Sequence, residues 1–145
     1  MKEQFVTYKI ALALRELGFD EPCMARYEVR TNELTEVMFP KLQMFVRTDS
    51  QEEFSWQICS APLYQQVFDW FIKKHNMFID IFKWSVKYYV NDELLSPRFL
   101  FDIDTYGEYS DDLIYQSIND ELKYASYYDT REAAILKTIY LIKNK

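Results

Sequence analysis

The chain has 145 residues and a formal net charge of −6, and 49% of its residues are hydrophobic. This apolar fraction, together with 18% aromatic residues, excludes an intrinsically disordered or low-complexity chain. The sequence has only two glycines, Gly18 and Gly107, whereas P-loops, dinucleotide-binding loops and nucleophile elbows each need several. Length and composition predict a single compact domain over residues 1–145.

The two cysteines and the apolar runs indicate the cellular setting. Cys23 and Cys59 are expected to be buried, unreactive thiols, because a chain this rich in core-forming residues needs no disulfide. The N-terminal segment is amphipathic, and no apolar run approaches the roughly 18 residues of a membrane span. These features predict a cytoplasmic protein without a membrane segment.

The first predicted element is an N-terminal helix. Five apolar residues share one helical face: Val6, Ile10, Ala13, Leu14 and Leu17. Gly18 supplies the left-handed residue that ends a helix, and Phe19 is expected to fold back onto Leu14. The helix is therefore predicted to end at Gly18.

Three short strands and a second helix are predicted next. The strands are expected at 24–29, 37–46 and 53–59, where β-branched and aromatic residues concentrate. The second helix is predicted to begin at 60–62, because serine favours the cap and proline the first turn. Its apolar arc is broad enough to contact both the core and another element or subunit, and we expect it to end at Asn76.

The C-terminal half is predicted to contain a hairpin and a last helix. Apolar and polar residues alternate over 82–91 and again over 98–104, which predicts two antiparallel strands. The segment 111–124 fits either a helix or a further hairpin. Asp129 followed by Glu132 is typical of a capping box at the start of the last helix. Its apolar residues Ile135, Leu136, Ile139 and Ile142 are expected to face the core.

These elements predict an α+β fold. The expected architecture is one antiparallel sheet packed against three helices, or four helices if 111–124 is helical.

Catalytic and metal-binding patterns are weak in this sequence. His75 is the only histidine, and about 15 helical residues at roughly 1.5 Å each separate it from Cys59, which argues against a Cys-His pair. The acidic segment from Asp102 resembles a calcium loop at several positions, but Tyr106 and Leu113 stand where two oxygen ligands are required. We therefore predict no metal, no cofactor and no catalytic residues.

The acidic segment is instead the predicted binding site. Residues 92–132 carry eleven acidic and three basic residues, and exposed tyrosines are common in recognition surfaces. The predicted binding residues are Asp102, Asp104, Tyr106, Glu108, Tyr109, Asp111 and Asp112. The net negative charge opposes nucleic-acid binding.

Three blocks of the sequence carry a resemblance: 14–23 (LRELGFDEPC), 60–71 (SAPLYQQVFDWF) and 128–133 (YDTREA). Together they are similar to a group of small proteins of unassigned activity from gut Bacteroides genomes and their phages or prophages, crAss-like phages included. The resemblance implies an accessory phage protein made in the cytoplasm of a bacterial host cell. It implies no catalytic residues.

The leading functional hypothesis is a non-enzymatic protein-interaction module that binds a host or phage protein with a basic surface. One alternative is a nucleic-acid-binding domain that uses a sheet carrying Lys83 and Lys87. Another is a carboxylate- or metal-dependent enzyme. Self-association through the broad apolar face of the second helix is a further possibility that the sequence leaves open.

Overall fold

A computed structural model describes residues 2–28, 30–36, 58–84, 89–90, 93–94, 98–106, 111–117, 124 and 126–145. The chain forms two compact units, Met1–Trp70 and Phe71–Lys145. This division does not test the prediction of a single domain over residues 1–145, which stays a prediction.

The first unit contains one helix and a small sheet. Its elements are α1 (Tyr8–Leu17), β1 (Ala25–Glu28), β2 (Glu33–Glu36) and β3 (Ile58–Ala61). Helix α2 (Tyr64–His75) follows and runs across the boundary between the units. The predicted strand 37–46 and residues 53–57 lie outside the described residues.

The predicted end of α1 is confirmed. Gly18 adopts a left-handed conformation with φ of 89°, and its N–H donates to the carbonyl of Arg15 at 3.1 Å. The N–H of Phe19 donates to the carbonyl of Leu14 at 3.0 Å, and the Phe19 side chain is buried. These two bonds are the Schellman pattern, so local sequence alone determines where this helix stops.

The sheet of the first unit is antiparallel in the order β2-β1-β3. The central strand β1 confirms the strand predicted at 24–29. The buried Tyr27 hydroxyl donates to the carbonyl of Val6 at 2.6 Å, which ties β1 to the segment before α1.

The predicted start of α2 is wrong. Ser60 and Ala61 belong to β3, where they pair with β1, and the helix begins at Tyr64. The Gln66 side-chain oxygen accepts from the N–H of Leu63 at 3.0 Å, which satisfies a donor that the helix leaves open. The predicted end is confirmed, because Asn76 has φ of 54° and donates to the Ile72 carbonyl at 3.1 Å.

The second unit contains the remaining strands and the last helix. They are β4 (Met77–Trp84), β5 (Tyr89–Val90), β6 (Glu93–Leu94), β7 (Arg98–Tyr106), β8 (Asp111–Gln116) and α3 (Tyr127–Lys143). The sheet order is β4-β7-β8, and β5 pairs with β6.

The predicted antiparallel pairing of the two alternating segments is confirmed as β4 with β7. Strand β4 begins at Met77, five residues before the predicted start. Residues 111–116 form the third strand of this sheet, so the helical alternative for the segment 111–124 is wrong where it is described.

Helix α3 starts earlier than predicted. Its cap is Ser126, whose hydroxyl oxygen accepts from the N–H of Asp129 at 3.1 Å, and Asp129 lies within the first turn rather than at the cap. Ile135 and Ile139 are buried as predicted, whereas Leu136 and Ile142 are half-buried. The helix packs against β4 and β7.

The α+β class is therefore confirmed, but the single sheet is not. Within the described residues the strands form two separate three-stranded sheets and a two-stranded pair, together with three α-helices. None of the helices described is long and apolar enough to span a membrane.

Candidate functional site

The sheet β4-β7-β8 presents two chemically different faces. Strand alternation places Met77, Phe101 and Ile103 on one face, and all three are buried. Helix α3 packs against β4 and β7, so this is the covered, apolar face. The opposite face therefore carries the polar positions of the same strands.

On that opposite face the register aligns side chains from all three strands in two neighbouring rows. Asp80 lies opposite Asp102, and Asp102 lies opposite Gln116. In the next row Asp104 lies between Phe78 of β4 and Leu113 of β8. We call these two rows the acidic face: Phe78, Asp80, Asp102, Asp104, Leu113 and Gln116.

The acidic face is open to solvent at these rows. Asp80 is exposed, Leu113 is 51% exposed, and the other four residues are half-buried. Leu100 lies further along β7 on the same side of the sheet and is only 1% exposed, whereas its β4 partner Phe82 is half-buried.

The central carboxylate, Asp102, has a perturbed acidity. Burial raises its pKa above the ordinary value, and the neighbouring Asp104 and Asp80 carboxylates raise it further. The Gln116 side chain opposes this by donating from Nε2 to Oδ2 of Asp102 at 3.5 Å. The net result is that the ionised form of Asp102 is less favourable in the folded protein than in water.

A cation placed over this row would relieve that repulsion. A nearby positive charge favours the ionised carboxylate, so its binding would lower the pKa of Asp102. Among the residues that the structure describes, no group of three or more His, Cys, Asp or Glu side chains is arranged to hold a metal ion. Lysine and arginine side chains form charge-assisted hydrogen bonds with carboxylates such as these.

The outer strand of the acidic face contains an irregularity. The register of β7 with β8 shifts between Ile103 and Asp104, which leaves Ile114 as an extra residue on β8. Leu113 and Ile114 are consequently two successive apolar residues with 51% and 36% exposure. Beyond β8 the buried Ser117 hydroxyl accepts from the N–H of Phe101 at 2.8 Å, so the contact with β7 continues through a side chain.

The structure brings some of the predicted binding residues together. Asp102 and Asp104 lie on the acidic face, two positions apart on β7. Tyr106 pairs with Asp111 at the end of the same ladder, and Asp112 pairs with Thr105, but the side chains of these predicted residues are outside the description. Glu108 and Tyr109 lie outside the described residues altogether.

Four members of the acidic face were absent from the prediction: Phe78, Asp80, Leu113 and Gln116. The first two belong to the part of β4 before residue 82, where the sequence prediction placed no strand. The available signal was a short apolar run from Met77 to Phe82 that only Asp80 interrupts. Leu113 and Gln116 lie in the segment from 111, whose sequence fits either a helix or a hairpin.

The two cysteines are free and buried, as predicted. Burial raises the pKa of Cys23 to about 12, with a further contribution from the neighbouring Cys59, and burial raises the pKa of Cys59 to about 11. Thiols of this kind are protonated at neutral pH and make poor nucleophiles.

His75 is the last residue of α2 and is half-buried. Burial lowers its pKa, and the nearby Lys145 and Lys74 lower it further, so the imidazole is neutral at pH 7. As the last residue of α2, it stands at the negative end of the helix dipole.

Exposed tyrosines lie on α3 beside cations. The guanidinium carbon of Arg131 lies 5.9 Å from the ring centre of Tyr127 and 5.3 Å from that of Tyr128. Farther along, the Nζ of Lys137 is 4.1 Å from the Tyr115 ring and 5.6 Å from the Tyr140 ring. On the helix-covered side of the sheet, β8 thus has one lysine directly over the ring of Tyr115.

No known protein family, curated protein or solved structure matches this chain.

Proposed function

We propose that this protein is a non-enzymatic interaction module that binds a partner protein with a basic surface through the acidic face. The observation that supports this most is the register that sets Asp80 directly beside Asp102, with Asp104 in the adjacent row. In the setting that the sequence resemblance implies, the partner is a host or phage protein of the bacterial cytoplasm.

The mixture of residue types supports a protein partner. Phe78 and Leu113 flank Asp104 in its row, so apolar surface stands immediately beside the carboxylates. Protein interfaces combine apolar contacts with a small number of directed polar contacts. A partial apolar surface of this kind contributes little to binding a small inorganic cation.

The energetics also require both kinds of contact. An exposed ion pair contributes only about 0.2–1 kcal/mol, so carboxylates alone give specificity rather than affinity. Burial of the accessible Leu113 side chain adds roughly 25 cal/mol for each Å² of apolar surface removed from water. The carboxylates then select a basic partner, because an acidic one would increase the existing repulsion.

Affinity capture with matched variants tests this function. The immobilised protein is incubated with nuclease-treated host lysate, and bound polypeptides are identified by mass spectrometry. The test variant Asp80→Asn/Asp102→Asn removes a cross-strand pair of carboxylates from the acidic face. The control Glu28→Gln/Glu33→Gln removes the corresponding opposed pair from β1 and β2 of the first unit, so the change in net charge is identical.

The expected result is a reproducible basic polypeptide that is retained by the wild type and the control and lost from the test variant. Its retention should also fall as salt is raised. An equal loss from both variants would mean that overall charge, not the acidic face, is responsible, and undiminished retention by the test variant would contradict the proposal. Capture of nothing by the wild type would contradict the proposed function.

A further inference from the structure

Strand β8 lies at the edge of its sheet among the strands that the structure describes. An edge strand has backbone N–H and C=O groups directed away from the sheet, and an added strand can pair with them. Leu113 and Ile114, two successive exposed apolar residues, lie on this edge strand. The edge therefore offers both backbone hydrogen bonding and apolar surface.

We propose that the partner contributes an extended basic segment that adds to the sheet as a further strand alongside β8. This inference rests on the proposed function, since it specifies how a basic partner meets the acidic face. Strand addition gives affinity through the main chain, and alternate side chains then determine specificity.

The two sides of β8 dictate which residues the added strand carries. On the acidic-face side the carboxylates of Asp102 and Asp104 stand on β7, two strand spacings or roughly 10 Å from an added strand. Long lysine or arginine side chains suit that distance. On the other side Lys137 lies over the ring of Tyr115 on β8 itself, so a second cation there would be repelled. The segment is therefore expected to alternate basic residues with apolar ones.

A second copy of this chain fits the same edge less well. The sequence of β8, DDLIYQ, has two acidic residues and no basic residue. Pairing β8 with β8 of another copy would add acidic residues to an edge that is already acidic and would place no basic residue near Asp102 or Asp104. Charge complementarity thus favours a foreign basic strand over self-pairing.

A peptide titration monitored by NMR tests the strand addition. The probe is an end-blocked octapeptide of alternating lysine and valine, added to the full-length protein at low salt. One control peptide has the same lysines and valines with two prolines inserted at its centre, so that one missing N–H faces β8 whichever way the peptide lies. A second control replaces every lysine by glutamate.

The expected result is that the alternating peptide binds and slows hydrogen exchange at alternate amides of β8, while the proline peptide binds at least about tenfold more weakly, since it cannot form the added strand's central hydrogen bonds. The glutamate peptide should not bind. Asp80→Asn/Asp102→Asn should weaken binding of the alternating peptide, and Glu28→Gln/Glu33→Gln should leave it unchanged.

The remaining outcomes separate the two proposals. Equal binding of the alternating and proline peptides, abolished by the acidic-face variant, would overturn strand addition and leave basic-partner binding intact. Binding of neither lysine peptide would also overturn strand addition, and the capture experiment would then decide the proposed function separately. Concentration-dependent protection of β8 amides without any peptide would identify a second copy as the occupant and overturn the inference.

Discussion

Replacing Asp102 by asparagine is expected to stabilise the protein at pH 7. The substitution removes a half-buried charge that is repelled by Asp80 and Asp104, while an amide can still bond to Gln116. Two unit charges roughly 6 Å apart repel by about 0.7 kcal/mol in a water-like medium and about 2.8 kcal/mol at an effective dielectric constant of 20. Because Asp80 is exposed, the lower value applies, and we expect a gain of about 0.5–1 kcal/mol.

The gain should depend on pH in a defined direction. The pKa of Asp102 is raised in the folded protein, so the folded state binds a proton more readily than the unfolded chain does. The contribution of Asp102 to the free energy of unfolding of the wild type therefore falls as pH rises from the unfolded-state pKa through the folded-state pKa. The difference between variant and wild type should vanish below the ordinary value of 3.8 and be complete above the raised pKa.

Urea unfolding of both proteins at a series of pH values between 3 and 8 measures this difference. The Glu33→Gln variant serves as a control for loss of one strand carboxylate, because Glu33 is exposed and lies in the other sheet. A destabilised Asp102→Asn protein, or a gain that stays constant down to pH 3, would refute the reasoning that repulsion and burial dominate at this position.

Other expected effects test the packing around this site and in the first unit. Ser117→Ala should cost about 1–3 kcal/mol in urea unfolding, because the buried N–H of Phe101 loses its acceptor, and a cost below about 0.5 kcal/mol would contradict that role. Gly18→Ala should cost about 1–2 kcal/mol through its left-handed conformation alone, since no atom lies within 4 Å of the added carbon, and Gly18→Asn should cost less; equal costs would contradict this. Cys23 and Cys59 should react with a thiol reagent at pH 8 only on unfolding, and rapid modification of either thiol in the native protein would show that it is accessible.

The sequence predicted best those features that depend on neighbouring residues. The end of α1 follows from Gly18 and the two residues it bonds across, and all are adjacent in the chain. The start of α2 was wrong because Ser60 has the chemistry of a cap but is used in β3, where pairing with Arg26 of β1 decides its conformation. A contact across 34 residues overrides the local preference there.

The start of α3 illustrates a choice between equivalent local signals. Ser126 with Asp129 and Asp129 with Glu132 are both typical of a capped helix start. The earlier one is used, and it brings the Tyr127 ring to 6.1 Å from the ring of Phe99 on β7. The additional turn at the start of α3 thus packs against the sheet. A local sequence pattern does not indicate this contact, because Phe99 lies 28 residues earlier in the chain.

Only part of the acidic face was predictable for the same reason. Asp102 and Asp104 were identified because alternating carboxylates are visible along one strand. Their grouping with Asp80 and Gln116 depends on the register across three strands, including a shift after Ile103. Register is set by pairing over long sequence separations. The sequence therefore predicts that the site is acidic, but not which residues of the three strands form it.

The most direct test of the acidic face is the pKa of the Asp102 carboxyl group, measured by carbon-detected NMR in the free protein and with the alternating lysine–valine peptide bound. We expect a pKa above 3.8 in the free protein and a clear decrease on binding, because the peptide's cations replace the repulsion from Asp80 and Asp104. A pKa that does not change when the peptide binds would contradict the assignment of this face as the binding surface, and a pKa that is not raised in the free protein would contradict the burial and repulsion described for Asp102.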